Sequence, residues 1–289
     1  MRAFALRSVR LLAYLALTLP LMPVQALLLF LAPPLAVRFP RWYHRLCWRI
    51  LGFRVEVRGA ISERVPTLFV SNHVSYLDIT ILGGLIRGSF VAKMEVARWP
   101  LFGQLARLQR TVFVERRAAH TVRHRNAIAE RLAARDNLIL FPEGTSGDGN
   151  RLLPFRSGLF SAAETKVDGA SVAVQPVSIG YVGLNGMPMG RFYRPFFAWY
   201  GDMEMAPHLW TLLGLGTLTV VVEFHPVVTL AQFGARKVLA EHCRRAVAAG
   251  LAAALSGREA ASGEGPRQAA VPAPADLLVE TRPAAPLQA

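Results

Sequence analysis

The chain has 289 residues, 53% of them hydrophobic, and a formal net charge of +14. Lys93, Lys166 and Lys237 are its only lysines, so the positive charge is almost wholly arginine. Length allows one large domain with appendages or two small ones. Cys47 and Cys243 fit no disulfide framework and no metal or redox spacing, which points to a reduced, cytosol-facing compartment. The charge asks for an anionic partner: a phospholipid surface, nucleic acid or an acidic carrier protein.

From Leu11 to Val37 no side chain is charged. As one helix this run would span about 40 Å, more than the hydrocarbon core of a bilayer requires. Pro20 and Pro23 are expected to interrupt it and Pro33-Pro34 to end it, because each proline removes a backbone donor and clashes with the preceding turn. Arginines lie on both sides: Arg2, Arg7 and Arg10 before, and Arg38, Arg41, Arg45 and Arg49 after. Positive flanks at both ends suit a hairpin that enters one leaflet and returns. A single span is the alternative, since prolines occur in spanning helices. The apolar run continues past Ala26, which argues against a cleaved signal peptide.

An α/β pattern follows. Phe53–Arg58 alternates and Thr67–Val70 is a short apolar run, so both read as strands. A helix starts at Ser75. Further strands are expected at Phe90–Ala92, Thr111–Val114, Leu138–Phe141, Val172–Val177 and Thr219–Phe224. Helices are expected at Ala118–Arg135, Ser157–Thr165 and Ala235–Leu255. Alternating strands and helices predict a mainly parallel sheet covered on both faces, beside the N-terminal membrane-embedded helical hairpin. Residues 1–40 then form the membrane segment, 41–256 the α/β domain and 257–289 a disordered tail of Ala, Pro, Gly and charges. The tail carries three arginines against four acids, which leaves the positive charge on the folded part.

Two segments carry candidate chemistry. Ser71-Asn72-His73-Val74-Ser75-Tyr76-Leu77-Asp78 follows an apolar strand, where α/β proteins tend to place chemistry. Ser75 can cap the next helix with Asp78 three residues on, and the same spacing lets Asp78 reach back to His73. A carboxylate on one imidazole nitrogen fixes the tautomer and leaves the other free to take a proton. This is two-thirds of a hydrolytic triad without a nucleophile, so the substrate's hydroxyl is expected to supply one. Taken alone, the segment reads more simply as a turn histidine and a helix-start acid. Leu138–Phe141 likewise ends in Pro142-Glu143-Gly144-Thr145, whose glycines can turn backbone amides toward a ligand.

In order, Asn72-His73-x-Ser75-x-x-Asp78, Lys93-x-Glu95, Pro100-x-x-Gly103, Val112–Arg116, Phe141–Thr145 and Val174–Val177 resemble the glycerolipid acyltransferase family over residues 40 to 230. The resemblance implies an α/β domain resting on a membrane-embedded two-helix motif. It makes His73 the general base and Asp78 its orienting partner. The same resemblance implies that Arg116, with Lys93 as a second candidate, would bind an acceptor phosphate, and that Asn72, Ser75, Glu143, Gly144 and Thr145 would shape the acceptor site. Many members carry an arginine directly after the Glu-Gly-Thr, where this chain has Ser146. Arg151 and Arg156 are the next basic residues. The run Glu143–Arg151 is similar to a bacterial subgroup that includes lyso-ornithine lipid acyltransferases.

The activity implied is acyl transfer from an acyl-carrier protein or coenzyme A thioester to the hydroxyl of a lysolipid. Lysophosphatidic acid stands first and lyso-ornithine lipid second as acceptor. A thioester is already activated, so no metal or cofactor is expected. The location implied is the inner membrane, with the catalytic domain on the cytoplasmic side. Eleven basic side chains over residues 87–135, against three acids, give the anionic membrane or donor a surface to meet.

Other readings fit less well. Ser157 lacks the preceding glycine of a hydrolase elbow. His120 and His124 are four apart, but no glutamate follows His120, so zinc is not expected. No groove-reading motif supports a nucleic-acid partner. A non-catalytic membrane scaffold is separated from an enzyme by the effect of removing His73.

Overall fold

In the computed structural model, which describes residues 2–114, 121–258 and 267–268, the apolar N-terminus is a single helix. α1 (Arg2–Leu31) passes through Pro20 and Pro23, and the expected interruption there does not occur. Both prolines lie on the exposed side. The opposite side packs on the rest of the protein, where Thr18 and Gln25 are buried. Tertiary packing of that face outweighs the local cost of the prolines. The reversal comes at Ala32, and Pro33 and Pro34 open α2 (Pro33–Leu51) at positions where a missing N–H costs nothing.

The two helices run antiparallel, as Thr18 bonds Tyr43 at 2.8 Å and Gln25 donates to the Ala36 carbonyl at 2.9 Å. The hairpin expected from the sequence is therefore present, with its bend at Ala32 and its second helix continuing past Pro40 to Leu51. α1 is long and apolar enough to cross a membrane. Its outer face exposes Leu12, Leu19, Leu27 and Phe30.

The chain then builds β1 (Phe53–Arg58), β2 (Thr67–Ser71), α3 (Leu77–Leu85), β3 (Ser89–Lys93), α4 (Phe102–Leu108), β4 (Val112–Val114), α5 (Thr121–Ala133) and β5 (Leu138–Leu140). A 3₁₀ segment at Ser157–Glu164 and a small hairpin, β6 (Lys166–Val167) and β7 (Ala170–Ser171), lead into the long β8 (Ala173–Leu184). After β9 (Met187–Pro188) come α6 (Met205–Leu213), β10 (Leu218–Phe224), β11 (Val228–Thr229) and α7 (Arg236–Leu255). Arg267–Gln268 pair antiparallel with β1 as β12, and the remainder of the tail beyond Arg258 lies outside the described residues.

The sheet order is β12-β1-β10-β8-β2-β5-β3-β4, with β9 and β11 on β8. From β8 to β4 every pairing is parallel, while β8 meets β10 antiparallel. The mainly parallel sheet expected from the sequence is thus present. One core, around Phe69, Leu77, Phe90 and Tyr181, lies on the face toward α2 and α3. The other, around Leu68, Leu140, Phe160 and Cys243, is covered by α5, α7 and the 3₁₀ segment.

Pro176 sits inside β8 and pairs in register with Val70 of β2. Such a residue is tolerated because β8's other neighbour changes there, from β11 at Val174 to β10 at Val177. Gln175 bridges this gap, donating to the carbonyls of Ala60 and His225 and accepting from the Ser62 N–H.

The hairpin is locked to the domain through α3. Trp48 donates to the Thr80 carbonyl at 2.9 Å and Arg45 to that of Gly84 at 2.8 Å. A Cβ on Gly84 would come within 2.3 Å of the Trp48 ring. Gly84→Ala should therefore cost about 1–3 kcal/mol by overpacking this contact. Thermal unfolding of the detergent-solubilised protein checks this, and an unchanged midpoint would show that the two helices can part without penalty.

Candidate active site

β2 ends at Ser71, and the chain must turn at once to begin α3. Asn72 holds the turn by doing for β8 what a strand neighbour would do. Its side chain donates to the Ile179 carbonyl at 2.9 Å and accepts from the Ile179 N–H at 2.8 Å. Those bonds leave His73 at the start of the turn, its side chain 20% exposed. Its Nδ1 lies 2.8 Å from Asp78 Oδ2. The ring stacks on Phe141, with centroids 4.1 Å apart and planes at 17°. Among the described residues Nε2 has no hydrogen-bond partner.

Asp78 lies in the first turn of α3 and is fully buried. Four donors reach it. Oδ2 accepts from His73 Nδ1, from the Val74 N–H at 2.7 Å and from the Ser75 N–H at 3.1 Å. Oδ1 accepts from the Tyr181 hydroxyl at 2.7 Å. Burial, then the charge of Asp78, pushes the Tyr181 hydroxyl far above its ordinary range, so it keeps its proton and donates. With Nδ1–H held on Asp78, Nε2 is the nitrogen left to accept a proton, a tautomer that follows from the hydrogen bonds.

The expected cap at Ser75 takes a different form. Ser75 is buried and makes no cap bond, and Tyr76 occupies the N-cap position. The reach-back from Asp78 to the turn amides satisfies the orphan donors instead.

Glu143 follows the parallel neighbour of β2 and faces the same turn. One carboxyl oxygen accepts the His73 N–H at 2.8 Å, and the other accepts the Leu153 N–H at 3.0 Å. The Gly147 N–H returns the contact by donating to the His73 carbonyl at 2.9 Å. Gly144 takes a positive φ of 69° that suits glycine, and the Arg156 guanidinium packs against the space a Cβ would fill. Burial raises the Glu143 carboxyl to about 8, against its two backbone donors, which pull it down. Glu143 therefore spends both oxygens on holding the His73 turn and the 143–153 loop together.

The structure brings Asn72, His73, Ser75, Asp78 and Glu143 into one cluster, with Gly144 and the exposed Thr145 and Arg151 on the adjoining loop. Lys93 ends β3, beside Val114 at the end of β4. Arg116 and His120 lie outside the described residues, as does the side chain of His124. The aromatic stretch Phe192–Trp199 divides: Phe197 and Ala198 are core, while Phe192, Tyr193 and Phe196 are exposed. The Trp199 N–H donates to the Val74 carbonyl, and its carbonyl accepts from Ser146, so this stretch braces the turn from outside. His208 bonds the Tyr76 hydroxyl at 2.9 Å. Tyr181 escaped the sequence reading because β8 was expected to end at Val177. An apolar cavity opens beside the cluster at Tyr76, Leu77 and Phe90 and runs between the sheet and the hairpin, past Tyr14, Gln25 and His44.

A carboxyl raised from 4.5 to about 8 favours the folded chain fully below about 4.5 and loses that contribution as pH climbs through about 8. In Glu143→Gln this pH dependence should flatten and overall stability should fall, because an amide N–H₂ would face one backbone donor. Melting curves across that pH range test this, and a slope identical to wild type would mean that Glu143 does not titrate there.

Residues 53–180 match the family described as Acyltransferase. A lyso-ornithine lipid O-acyltransferase of Brucella abortus is 46% identical over 251 residues, covering 86% of this chain and 94% of its own. A 1-acyl-sn-glycerol-3-phosphate acyltransferase of Neisseria gonorrhoeae is 32% identical over 201 residues, or 69% and 75% of the two chains. The crystal structure of the 1-acyl-sn-glycerophosphate acyltransferase PlsC of Thermotoga maritima shares the fold, with a TM-score of 0.67 at 22% identity over 90% of this chain and 100% of that one. With near-full-length relatives at this identity, the chain belongs to the acyltransferase family that works on lysolipids.

Proposed function

We propose that the chain acylates lyso-ornithine lipid at the cytoplasmic face of the inner membrane, taking the acyl group from an acyl-carrier-protein or coenzyme A thioester. The observation that carries the chemistry is the partly exposed His73 on its buried carboxylate: Nδ1 committed to Asp78, Nε2 unengaged, and among the described residues no enzyme nucleophile bonded to it. Nε2 takes the proton of the acceptor hydroxyl as that oxygen attacks the thioester carbonyl. The C–S bond then breaks, the thiolate leaves, and the same proton returns from Nε2 to the sulfur. General-base assistance of this kind contributes typically 10²–10⁴-fold, and proximity of two lipids held in one groove supplies more. The thioester brings its own activation, so the chain needs no metal or prosthetic group.

The acceptor is chosen on likeness and on charge. The sequence put lysophosphatidic acid first; the 46% identity to a lyso-ornithine enzyme against 32% to a lysophosphatidic acid enzyme reverses that order. The loop after Glu143 supports the same choice. Where a phosphate-binding arginine is common, Ser146 is turned onto the Trp199 carbonyl, and the next ionisable residue is Asp148. Asp148 bonds only Asn150 among the described residues. A carboxylate suits the ammonium of an amino-acid head group and repels a phosphate. The exposed Arg151 follows on the same loop, and Arg194 reaches it by donating to Asn150, so a guanidinium is available to the head group's carboxylate.

Purified protein offered both thioesters with lyso-ornithine lipid and lysophosphatidic acid in parallel should prefer the ornithine acceptor. Equal or greater use of lysophosphatidic acid would restore the phosphate reading. His73→Ala should lower transfer about 10²–10⁴-fold with the fold intact. Retained activity would show that His73 is not the base. Asp148→Asn should raise the KM for lyso-ornithine lipid more than it changes kcat.

A further inference from the structure

We infer that a pocket at the opposite end of the sheet from His73 binds the phosphate of an anionic membrane phospholipid, with Arg87 as its principal cation. The inference goes beyond acyl transfer and does not depend on it.

The pocket lies where the hairpin meets the far end of the sheet. Ala36, Val37 and Pro40 of α2 line it on the hairpin's side, with Val65 from the segment before β2. Arg87, Arg110 and Arg135 also line it, each one to two residues beyond the last turn or cap of a helix, α3, α4 and α5. The half-charge of a helix end draws a cation to it but does not neutralise one. Val65 precedes β2 and His73 follows it, so the five residues of that strand, roughly 16 Å, separate the pocket from the catalytic pair.

Charge is left unmatched here. Asp136 is the acid among the described lining residues, and its Oδ2 is already shared by Arg110 at 2.7 Å and Arg131 at 2.6 Å. Arg135 pairs with the exposed Asp168. Arg87 is exposed, and its guanidinium makes no ion pair or hydrogen bond among the described residues. Its field reaches α2. Burial, then the charges of Arg45 and Arg87, push Arg41 down to about 10, and burial, then Arg87, lowers Arg45. A phosphate beside Arg87 would offset this repulsion with charge-assisted bonds that guanidinium geometry favours.

The apolar side of the pocket indicates which phosphate. It begins one helical turn after the bend at Ala32, where Phe30, Leu31 and Leu35 are 85%, 73% and 44% exposed. α1, apolar enough to cross a membrane, ends at the same bend. A phospholipid with its chains along that bend brings its phosphate to the pocket, and basic pockets beside membrane-associated helices suit anionic head groups. Free phosphate makes no use of the apolar side.

The test is thermal unfolding of the full chain in an uncharged detergent, with phosphatidylglycerol, phosphatidylcholine or inorganic phosphate added at equal concentration. Phosphatidylglycerol should raise the midpoint by about 5 °C more than either of the others. Arg87→Gln should remove at least half of that difference, and Arg87→Gln with Arg135→Gln nearly all of it. Arg49→Gln, which takes the same charge from an exposed position near the other end of α2, should leave it intact. Each comparison is made within one variant, so a lowered starting stability does not disguise the result. Equal shifts with the two lipids, an equal loss in Arg49→Gln, or a shift with inorganic phosphate as large as that with phosphatidylglycerol would each overturn the inference.

Discussion

A carboxylate taken out of water must be met by donors, and the place where those donors come from decides what it holds in position. Asp78 gathers its four from a turn, a histidine ring and a strand 103 residues further along the chain. Val74 and Ser75 supply the turn amides, so the bend between β2 and α3 is set by the same group that orients His73. Tyr181 supplies the fourth bond from β8, which ties the bend to the sheet's longest strand. Remove the carboxylate and the turn, the imidazole and the tyrosine each lose a partner at once. A geometry held this many ways has little freedom left at His73, which is what a base that must meet a substrate oxygen at bonding distance requires.

The second constraint is the contact between α2 and α3. Only nine residues long, α3 carries the buried carboxylate at its start and a bare Gly83-Gly84 pair toward its end. His44 and Trp48 press into that pair. The membrane-associating hairpin is thus joined directly to the element that sets the catalytic geometry, with no loop between to absorb movement. Glu143 performs a similar service on the other side, linking the His73 turn to the loop that follows β5.

Much of this was readable from the residues. β2 and β5 are short apolar runs that stop at polar turns, and those stops are where His73 and Glu143 sit. The His73–Asp78 pairing is offered by spacing at a helix start but gains its weight only from the ordered segments that follow it. What could not be read had physical causes. Pro20 and Pro23 break a helix by local rules, but packing of the opposite face is a tertiary term that the sequence does not display. Tyr181 lies on a strand that continues through Pro176, and its continuation depends on a change of neighbour from β11 to β10. Asp78 caps through backbone amides, which no residue pattern separates from a Ser75 cap. α4 and α6 are short helices whose faces are decided by the hairpin they support.

The cavity wall is shared between two parts of the chain: one side belongs to the sheet and α3, the other to α1 and α2. A soluble fragment made by trimming the hairpin would keep β2, β5 and the histidine turn. It would lack half of the apolar cavity's wall, and water would reach the half that remains. Such a fragment would show the histidine turn without the cavity that lies beside it. The hairpin whose first helix is apolar enough to cross a bilayer thus also closes one side of the cavity beside the histidine turn.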